Sequence, residues 1–271
     1  MNPESVTVVF RGGGDLGSGV AHRLHRCGMK ILILEKSYPL VVRRTVSFAQ
    51  AVMDGSTELE GVKAVCVDSL AAVRDCWKKG TVPVMVDPEM KVLEQIRADV
   101  LVDATLAKRD TGIRKGMAPM TIALGPGFTA GVHADVVIET NRGHDLGRLI
   151  FEGEAEPDTG VPAPVKGFGR ERVLRAPCGG SVQHVLDIGD IARKDEIVCK
   201  VDGQPVKAAF DGVIRGLIME ACEVSEGMKI GDIDPRPVRE HCFTISDKAR
   251  ALGGAVLEAI FYLDRLKEKR C

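Results

Sequence analysis

The residues of this sequence best suited to chemistry are a run of glycines followed, one strand later, by a carboxylate. In Phe10-Arg11-Gly12-Gly13-Gly14-Asp15-Leu16-Gly17, Gly12, Gly14 and Gly17 fill the defining places of G-x-G-x-x-G, and Glu35 stands eighteen residues beyond Gly17. Glycines permit a tight turn and close approach of backbone to phosphate. A helix that starts there offers free N–H donors, and the acid can bond a ribose hydroxyl. The pattern reads as a site for a nucleotide-type ligand formed by Gly12, Gly13, Gly14, Asp15, Gly17 and Glu35. The same spacing also serves a plain strand-to-helix packing turn. Asp15 faces phosphates unfavourably, and Lys36 after Glu35 leaves NAD and NADP undistinguished.

Ligands of open α/β sheets sit beyond the carboxyl ends of the strands, so polar residues just after each expected strand extend the candidate site. They are Asp87; Asp103 with Lys108 and Arg109; the glycine loop with Gly125, Gly127 and Thr129; and Arg142 with His144 and Asp145. Lys108, Arg109 and Arg142 could hold phosphate oxygens, arginine by a bidentate fork. His144 beside Asp145 is the acid–base candidate, because an imidazole near neutral pKa can shuttle protons. Capping acids and turn glycines are the plain alternative for each residue singly. His22 and His25 lie i,i+3 on one helix, but no third ligand is evident and a helix face is the better reading. No metal site is expected. Cys178, in a Pro-Cys-Gly-Gly turn, is one of eight cysteines, Cys271 included, none in a Cys-x-x-Cys pair. They read as reduced thiols.

The elements that must position these groups follow from periodicity. Near-continuous Val/Ile/Leu runs at 6–10, 30–34, 62–67, 82–86, 100–102, 121–124 and 136–138 predict strands buried on both faces, the mark of a parallel sheet. Helical patterns fall at 16–27, 70–77 and 89–97. Together they predict a Rossmann-like, doubly wound α/β domain over residues 1–150. Residues 151–172, rich in Pro, Gly and charge, read as a linker or crossing segment. A small β domain follows at 173–236. A C-terminal helical segment, 237–271, contains a helix from Ser246 to about Lys267, with Arg265, Lys267, Lys269 and Arg270 suiting its C-terminus.

Composition narrows the class. The 271 residues carry 37 basic and 38 acidic side chains, net charge −1, which leaves no field to draw the chain onto nucleic acid or an anionic membrane. Only 4% are aromatic, against base stacking. No apolar run reaches the ~18–20 residues of a membrane span. The first residues lack the basic and apolar regions of a secretory signal. The expectation is a soluble, cytoplasmic protein.

Residues 176–182 and 208–214 resemble one another at an offset of 32, as do Val198, Val201 and Asp202 with Ile230, Ile233 and Asp234. Such paired units must pack together to bury their faces. The repeat resembles the half-motif of biotinyl/lipoyl-type barrel-sandwich hybrid domains. Pro205 stands where those domains carry a modified lysine, with Lys200 and Lys207 out of register, so the resemblance implies the fold without the modification.

Several longer motifs resemble one family. They are Arg11-Gly-Gly-Gly-Asp-Leu-Gly17 with Ala21-His-Arg-Leu-His25, Asp103-Ala-Thr-Leu-Ala-Lys-Arg109, Leu124-Gly-Pro-Gly-Phe-Thr-Ala-Gly131 and Glu139-Thr-Asn-Arg-Gly-His-Asp-Leu-Gly147. Gly231-Asp-Ile-Asp-Pro-Arg236 and Thr244-Ile-Ser-Asp-Lys-Ala-Arg250 complete the set. From about residue 6 to about residue 262 the chain resembles the YqeB-type accessory proteins of selenium-dependent molybdenum hydroxylases, and its first half is similar to the XdhC/CoxI accessory group. The resemblance implies a maturation role in preparing, sulfurating, selenating or inserting the molybdopterin cofactor. The ligand would be molybdopterin cytosine dinucleotide or NAD(P), and the partner an apo-hydroxylase or another cofactor-maturation protein. A homo-oligomer stays open. Two other readings stay open as well: an NAD(P)-dependent oxidoreductase, and a non-catalytic assembly or sensing protein.

Overall fold

A computed structural model describes residues 2–268. It divides into two compact units: one made of the residues to Pro39, Ser47–Asp158 and those from Ile245 onward, the other of Leu40–Val46 and Thr159–Thr244.

The first unit is mixed α/β. Its strands are β1 (Thr7–Arg11), β2 (Lys30–Glu35), β3 (Ser56–Leu59), β4 (Val62–Val67), β5 (Val82–Val86), β6 (Val100–Asp103), β7 (Met120–Leu124), β8 (Thr129–Ala130), β9 (Val136–Ile138), β10 (Leu149–Ile150) and β11 (Gly153–Glu154). Nine of them form one sheet in the order β10-β9-β7-β6-β1-β2-β5-β4-β3, and β8 pairs with β11 separately. All neighbours in the large sheet are parallel except the edge pairs β3–β4 and β9–β10. The helices are α1 (Asp15–Arg26), α2 (Ala51–Asp54), α3 (Leu70–Lys78) and α4 (Asp247–Glu268).

Strand residues alternate between the two faces. Val9, Leu32, Leu34, Leu101, Ala123 and Val137 share one buried cluster with Val73 of α3, Val92, Ile113 and Phe128. The alternate residues Val8, Phe10, Ile31, Ile33, Val100, Val102, Ile122 and Leu124 are equally buried. They turn to the other face, where α1 packs on β2 and α4 on β7 and β9. This two-sided burial is why the strands read as unbroken apolar runs.

Three local expectations change. The helix expected at 89–97 is one 3-10 turn, Lys91–Glu94. Met90, left-handed at φ 60, delays the turn to Lys91, where the Asp87 carboxylate caps it by taking the N–H groups of Lys91 and Val92 at 3.0 and 2.8 Å, and the backbone leaves the helical region at Gln95, φ −121. The C-terminal helix is no separate segment: it packs along α1 in the first unit. Ser246 caps it as expected, its Oγ accepting from the Ala249 N–H at 3.2 Å; Lys269, Arg270 and Cys271 lie outside the described residues. The second unit starts near residue 159 and takes in residues 40–46, which no compositional boundary marks.

The second unit contains β12 (Val173–Arg175), β13 (Gly180–His184), β14 (Ile191–Ala192), β15 (Ile197–Val201), β16 (Gln204–Lys207), β17 (Gly212–Leu217), β18 (Glu223–Val224) and β19 (Lys229–Asp234). They form two antiparallel four-stranded sheets, β12-β19-β17-β14 and β16-β15-β13-β18. Shifting β12–β15 by the repeat offset lands on β16–β19, and the same shift turns one sheet order into the other. Val182, Val198, Val201, Val213, Ile214, Ile230 and Ile233 share the core between them. Asp202 (φ 46) and Gly203 (φ 80) form the two-residue turn between β15 and β16, a left-handed pair suited to a tight hairpin. Pro205 does not stand at that tip: it lies within β16, opposite Lys200. Neither tip residue is a lysine.

Candidate functional site

Three glycines make the whole connection from β1 to α1, and the structure gives each position a reason. Gly12 sits at φ +92, and a Cβ there would stand 3.2 Å from the Thr105 nitrogen. A Cβ on Gly17 would fall 2.7 Å from the Gly12 carbonyl oxygen and 3.0 Å from Ala104 Cβ, so α1 lies directly on the strand end. Gly13 donates its N–H to Glu35 Oε2 at 2.8 Å, while its carbonyl accepts from the Ala49 N–H at 2.9 Å and Ser18 Oγ at 2.8 Å. Gly14 is the helix N-cap, extended at φ −64, ψ 179, and provides no capping side chain. The first N–H groups of α1 therefore point outward without helical partners.

Glu35 ties this turn to the end of β2. Its Oε1 accepts from the Lys36 N–H at 2.9 Å and its Oε2 from Gly13, so each oxygen takes one backbone donor and keeps a lone pair. Beyond it lies a cavity of about 530 Å³, lined among others by Arg11, Gly12, Glu35, Lys36, Thr105 and Arg109. The cavity stands where the chain, having run outward from β1 through β2, crosses to β6 on the other side. That is the topological switch point where open α/β sheets bind ligands, and the volume suits a small molecule.

The far wall is built by Asp103. Fully buried at the end of β6, it accepts from the Thr105 N–H (3.0 Å), Thr105 Oγ1 (2.6 Å) and Thr111 Oγ1 (2.7 Å), with the Arg11 guanidinium 3.7 Å away. Arg11 in turn donates to the carbonyls of Thr111 and Pro88. Asp103 is thus a wall-building residue, not a ligand contact. Sequence reasoning missed Arg11, Thr105 and Thr111 in this role, because nothing in their spacing shows that residues 104–111 curl back over the strand end. On the same loop, Arg114 and the Gly112 N–H hold the Asp110 carboxyl well below the usual carboxylate range.

The remaining expected residues divide. A Cβ on Gly127 would run into the Lys108–Arg109 peptide, so the second glycine loop does meet the basic pair, through packing. Gly125 likewise backs onto Thr140, whose Oγ1 would stand 2.7 Å from a Cβ. Lys108 pairs with Asp158 at 2.6 Å, and Arg109 is exposed at the cavity. Thr129 is engaged elsewhere: its N–H donates to His133 Nδ1 and its hydroxyl to Glu154, at 2.8 and 2.7 Å. Arg142 grips Asp247 with both Nη atoms, at 2.6 and 2.7 Å. Asp145 pairs with Arg148 at 3.3 Å, while His144 is exposed on the same turn and shares no hydrogen bond with it. The structure therefore does not assemble His144 and Asp145 as an acid–base pair. Their adjacency in sequence places them on a turn whose polar bonds run to Arg148.

His22 is buried, with Nε2 3.4 Å from the Glu60 carbonyl, and burial pushes both His22 and His25 below the ordinary imidazole value. Among the described residues no group of three or more His, Cys, Asp or Glu could hold a metal ion, and no helix is long and apolar enough to cross a membrane.

With this geometry in hand, comparison with known proteins adds one relative and several distant structures. The chain is similar to the "Uncharacterized protein YqeB" of Escherichia coli (strain K12). Identity is 46% over 256 residues, 94% of this chain and 47% of that protein, so the chain spans about half the length of the curated relative it matches. No family model matches the chain. Among solved structures, TcdA (CsdL) aligns at a TM-score of 0.36 and 14% identity, covering 97% of this chain and 89% of that one. The apo ectoine utilization protein EutE (DoeB) from Ruegeria pomeroyi aligns at 0.25 and 13%, covering 84% and 86%. Likenesses of this size do not establish a shared fold.

Proposed function

We propose that the first unit is a Rossmann-like domain that binds the nucleotide half of a dinucleotide-type ligand in the cavity beyond β1, β2 and β6. The observation that carries this reading is the Glu35 carboxylate, bonded to the glycine turn and lining a cavity of about 530 Å³ at the switch point. Its remaining lone pairs suit ribose hydroxyls, and the open N-terminus of α1 suits phosphate oxygens. Arg109 would reach a more distal phosphate or the base. Molybdopterin cytosine dinucleotide and NAD(P) share this nucleotide–diphosphate chemistry, and the residues present fit it.

We further propose that the protein is a cytoplasmic accessory factor in the maturation of a selenium-dependent molybdenum hydroxylase. Support comes from the motif resemblance set out above, and the 46%-identical relative carries the name of the family that the motifs resemble. The second unit, with its two sheets related by the repeat, is read as an unmodified barrel-sandwich hybrid that docks the apo-hydroxylase or another maturation protein.

Titration of the protein with NADH, NADPH, CMP and CDP, beside Gly14→Val, tests the ligand. Saturable binding that Gly14→Val abolishes supports the reading; no binding sinks it. Binding with turnover of the reduced nicotinamide would make the protein an oxidoreductase instead. Deleting the gene should leave hydroxylase polypeptide present but inactive, and normal hydroxylase activity would refute the maturation role.

A further inference from the structure

The Gly231-Asp-Ile-Asp-Pro-Arg236 motif takes no part in the glycine-turn site: it lies in the second unit and runs off the end of β19. Alternation along β19 turns Ile233 into the core between the two sheets, and Asp232 and Asp234 to the outer face of β12-β19-β17-β14. Both acids are nevertheless buried. Four arginines from separate stretches of the chain gather on that face. Arg236 grips Asp234 with Nε and Nη2, at 2.9 and 2.6 Å. Arg172 reaches Asp232 at 3.3 Å and donates to the carbonyls of Ile233 and Ala163 at 3.2 and 3.3 Å. Arg43 donates to the carbonyls of His241 and Thr244 at 3.1 and 3.3 Å.

Arg215 differs from these three. Ile214 and Gly216 pair with the consecutive residues Ile233 and Asp232, so Arg215 is the extra residue of a β-bulge, a device that re-aims a side chain. The segment carrying Arg43 lies directly on that bulge. A Cβ on Gly216 would stand 2.9 Å from Val42 Cγ1 and 3.1 Å from Arg43 Cγ. The Arg215 side chain is only 12% exposed, and the one acid within 4 Å of it is Asp234, 3.7 Å from Nη1 and already held by Arg236. Among the described residues Arg215 makes no hydrogen bond, and its Nε is sealed from solvent without an acceptor. Burial, and then the charge of Arg43, hold the guanidinium below its ordinary value. Four guanidinium groups against two carboxylates leave two positive charges in surplus. A desolvated guanidinium with donors to spare matches an oxyanion that can meet its planar fork.

We propose that Arg215 and Arg43 form a binding site for a dianionic tetrahedral oxyanion, either inorganic phosphate or the phosphoryl group of a small ester. A carboxylate would cancel only one of the two surplus charges. Asp232, Asp234, Arg172 and Arg236 are positioning residues, tied to one another and to backbone carbonyls, and they leave the fork of Arg215 to take ligand oxygens. The site lies within the second unit and does not rest on the nucleotide reading.

The test is calorimetric titration of the full chain with inorganic phosphate, and with sulfate, acetate and glycerol 3-phosphate, for wild type, Arg215→Met and Arg215→Lys. Wild type should bind phosphate saturably, with sulfate competing and acetate not. Arg215→Met should lose about tenfold or more in phosphate affinity, the scale of one charge-assisted hydrogen bond. Arg215→Lys, which keeps the charge without the fork, should fall between them. Glycerol 3-phosphate that competes with phosphate identifies a phosphoryl group as the ligand; its failure to compete identifies the free oxyanion. Saturating phosphate should raise the melting temperature of wild type and leave that of Arg215→Met unchanged, a difference that a purely structural ion network would not show. Arg215→Gln takes the place of the methionine variant if that does not fold. No saturable phosphate binding by wild type, or unchanged affinity in Arg215→Met, overturns the proposal. Phosphate binding should survive Gly14→Val; its loss there would assign the anion to the glycine turn and overturn the proposal as well.

Discussion

Replacing Gly19 with alanine measures how closely α1 and α4 touch. The new Cβ would stand 2.6 Å from Ala249 Cβ and 3.1 Å from Ile245 Cγ2. Non-bonded carbons rest at ~3.5–4.0 Å, so the helices must part by about 1 Å. Alanine is worth about 1 kcal/mol over glycine in a helix interior. Overpacking costs ~1–3 kcal/mol, and two Cβ atoms fixed to facing backbones cannot rotate apart, which places this case near the top of that range. The net expectation is a loss of about 2 kcal/mol. Gly254 on α4 gives the opposite sign: its nearest neighbour is the far end of Arg23, 3.7 Å away, so alanine there should gain up to about 1 kcal/mol. Urea denaturation followed by circular dichroism reads both. Adding Ala249→Gly to Gly19→Ala should show a favourable coupling of about 3 kcal/mol, the overpacking term itself, because it clears the clash. If Gly19→Ala is as stable as Gly254→Ala and uncoupled from Ala249, the helix pairing is wrong.

Two further outcomes follow from the described contacts. Asp103→Ala should cost about 3 kcal/mol in urea denaturation, since it strands Thr105, Thr111 and Arg11 at once, and Asp103→Asn should cost less; equal stability of all three proteins would show that the loop is held otherwise. His22 and His25, held below the ordinary imidazole value mainly by burial, bind fewer protons folded than unfolded. Their contribution to stability is therefore complete above the unfolded value of about 6.5 and is lost as pH falls through the interval beneath it. The melting temperature should drop between pH 7 and 5, and His22→Asn with His25→Asn should flatten that slope; an unchanged slope would refute the assignment.

What the linear sequence disclosed was whatever rests on local spacing. The glycine turn, Glu35 one strand later and the unbroken apolar strands all follow from short-range rules, and so does the repeat that relates β12–β15 to β16–β19. What it hid depends on partners distant in the chain. Nothing near Arg142 or Thr129 shows that their bonds go to Asp247 and Glu154, and a doublet such as His144-Asp145 looks like a pair while its acid turns to Arg148. The helical period at 89–97 shrank to one turn because Met90, left-handed at φ 60, delays its start to Lys91 and the backbone leaves the helical region at Gln95, φ −121. The pairing of α4 with α1 was invisible for the same reason as the domain boundary: both depend on the return of a segment distant in the chain.

The central claim, a nucleotide seated between the glycine turn and Glu35, is tested most directly by crystals of the protein soaked with CDP or NAD⁺. The account predicts density with ribose hydroxyls on Glu35 and phosphate oxygens at the N-terminus of α1. Density elsewhere, or a cavity still empty at saturating nucleotide together with no heat of binding in solution, would contradict it.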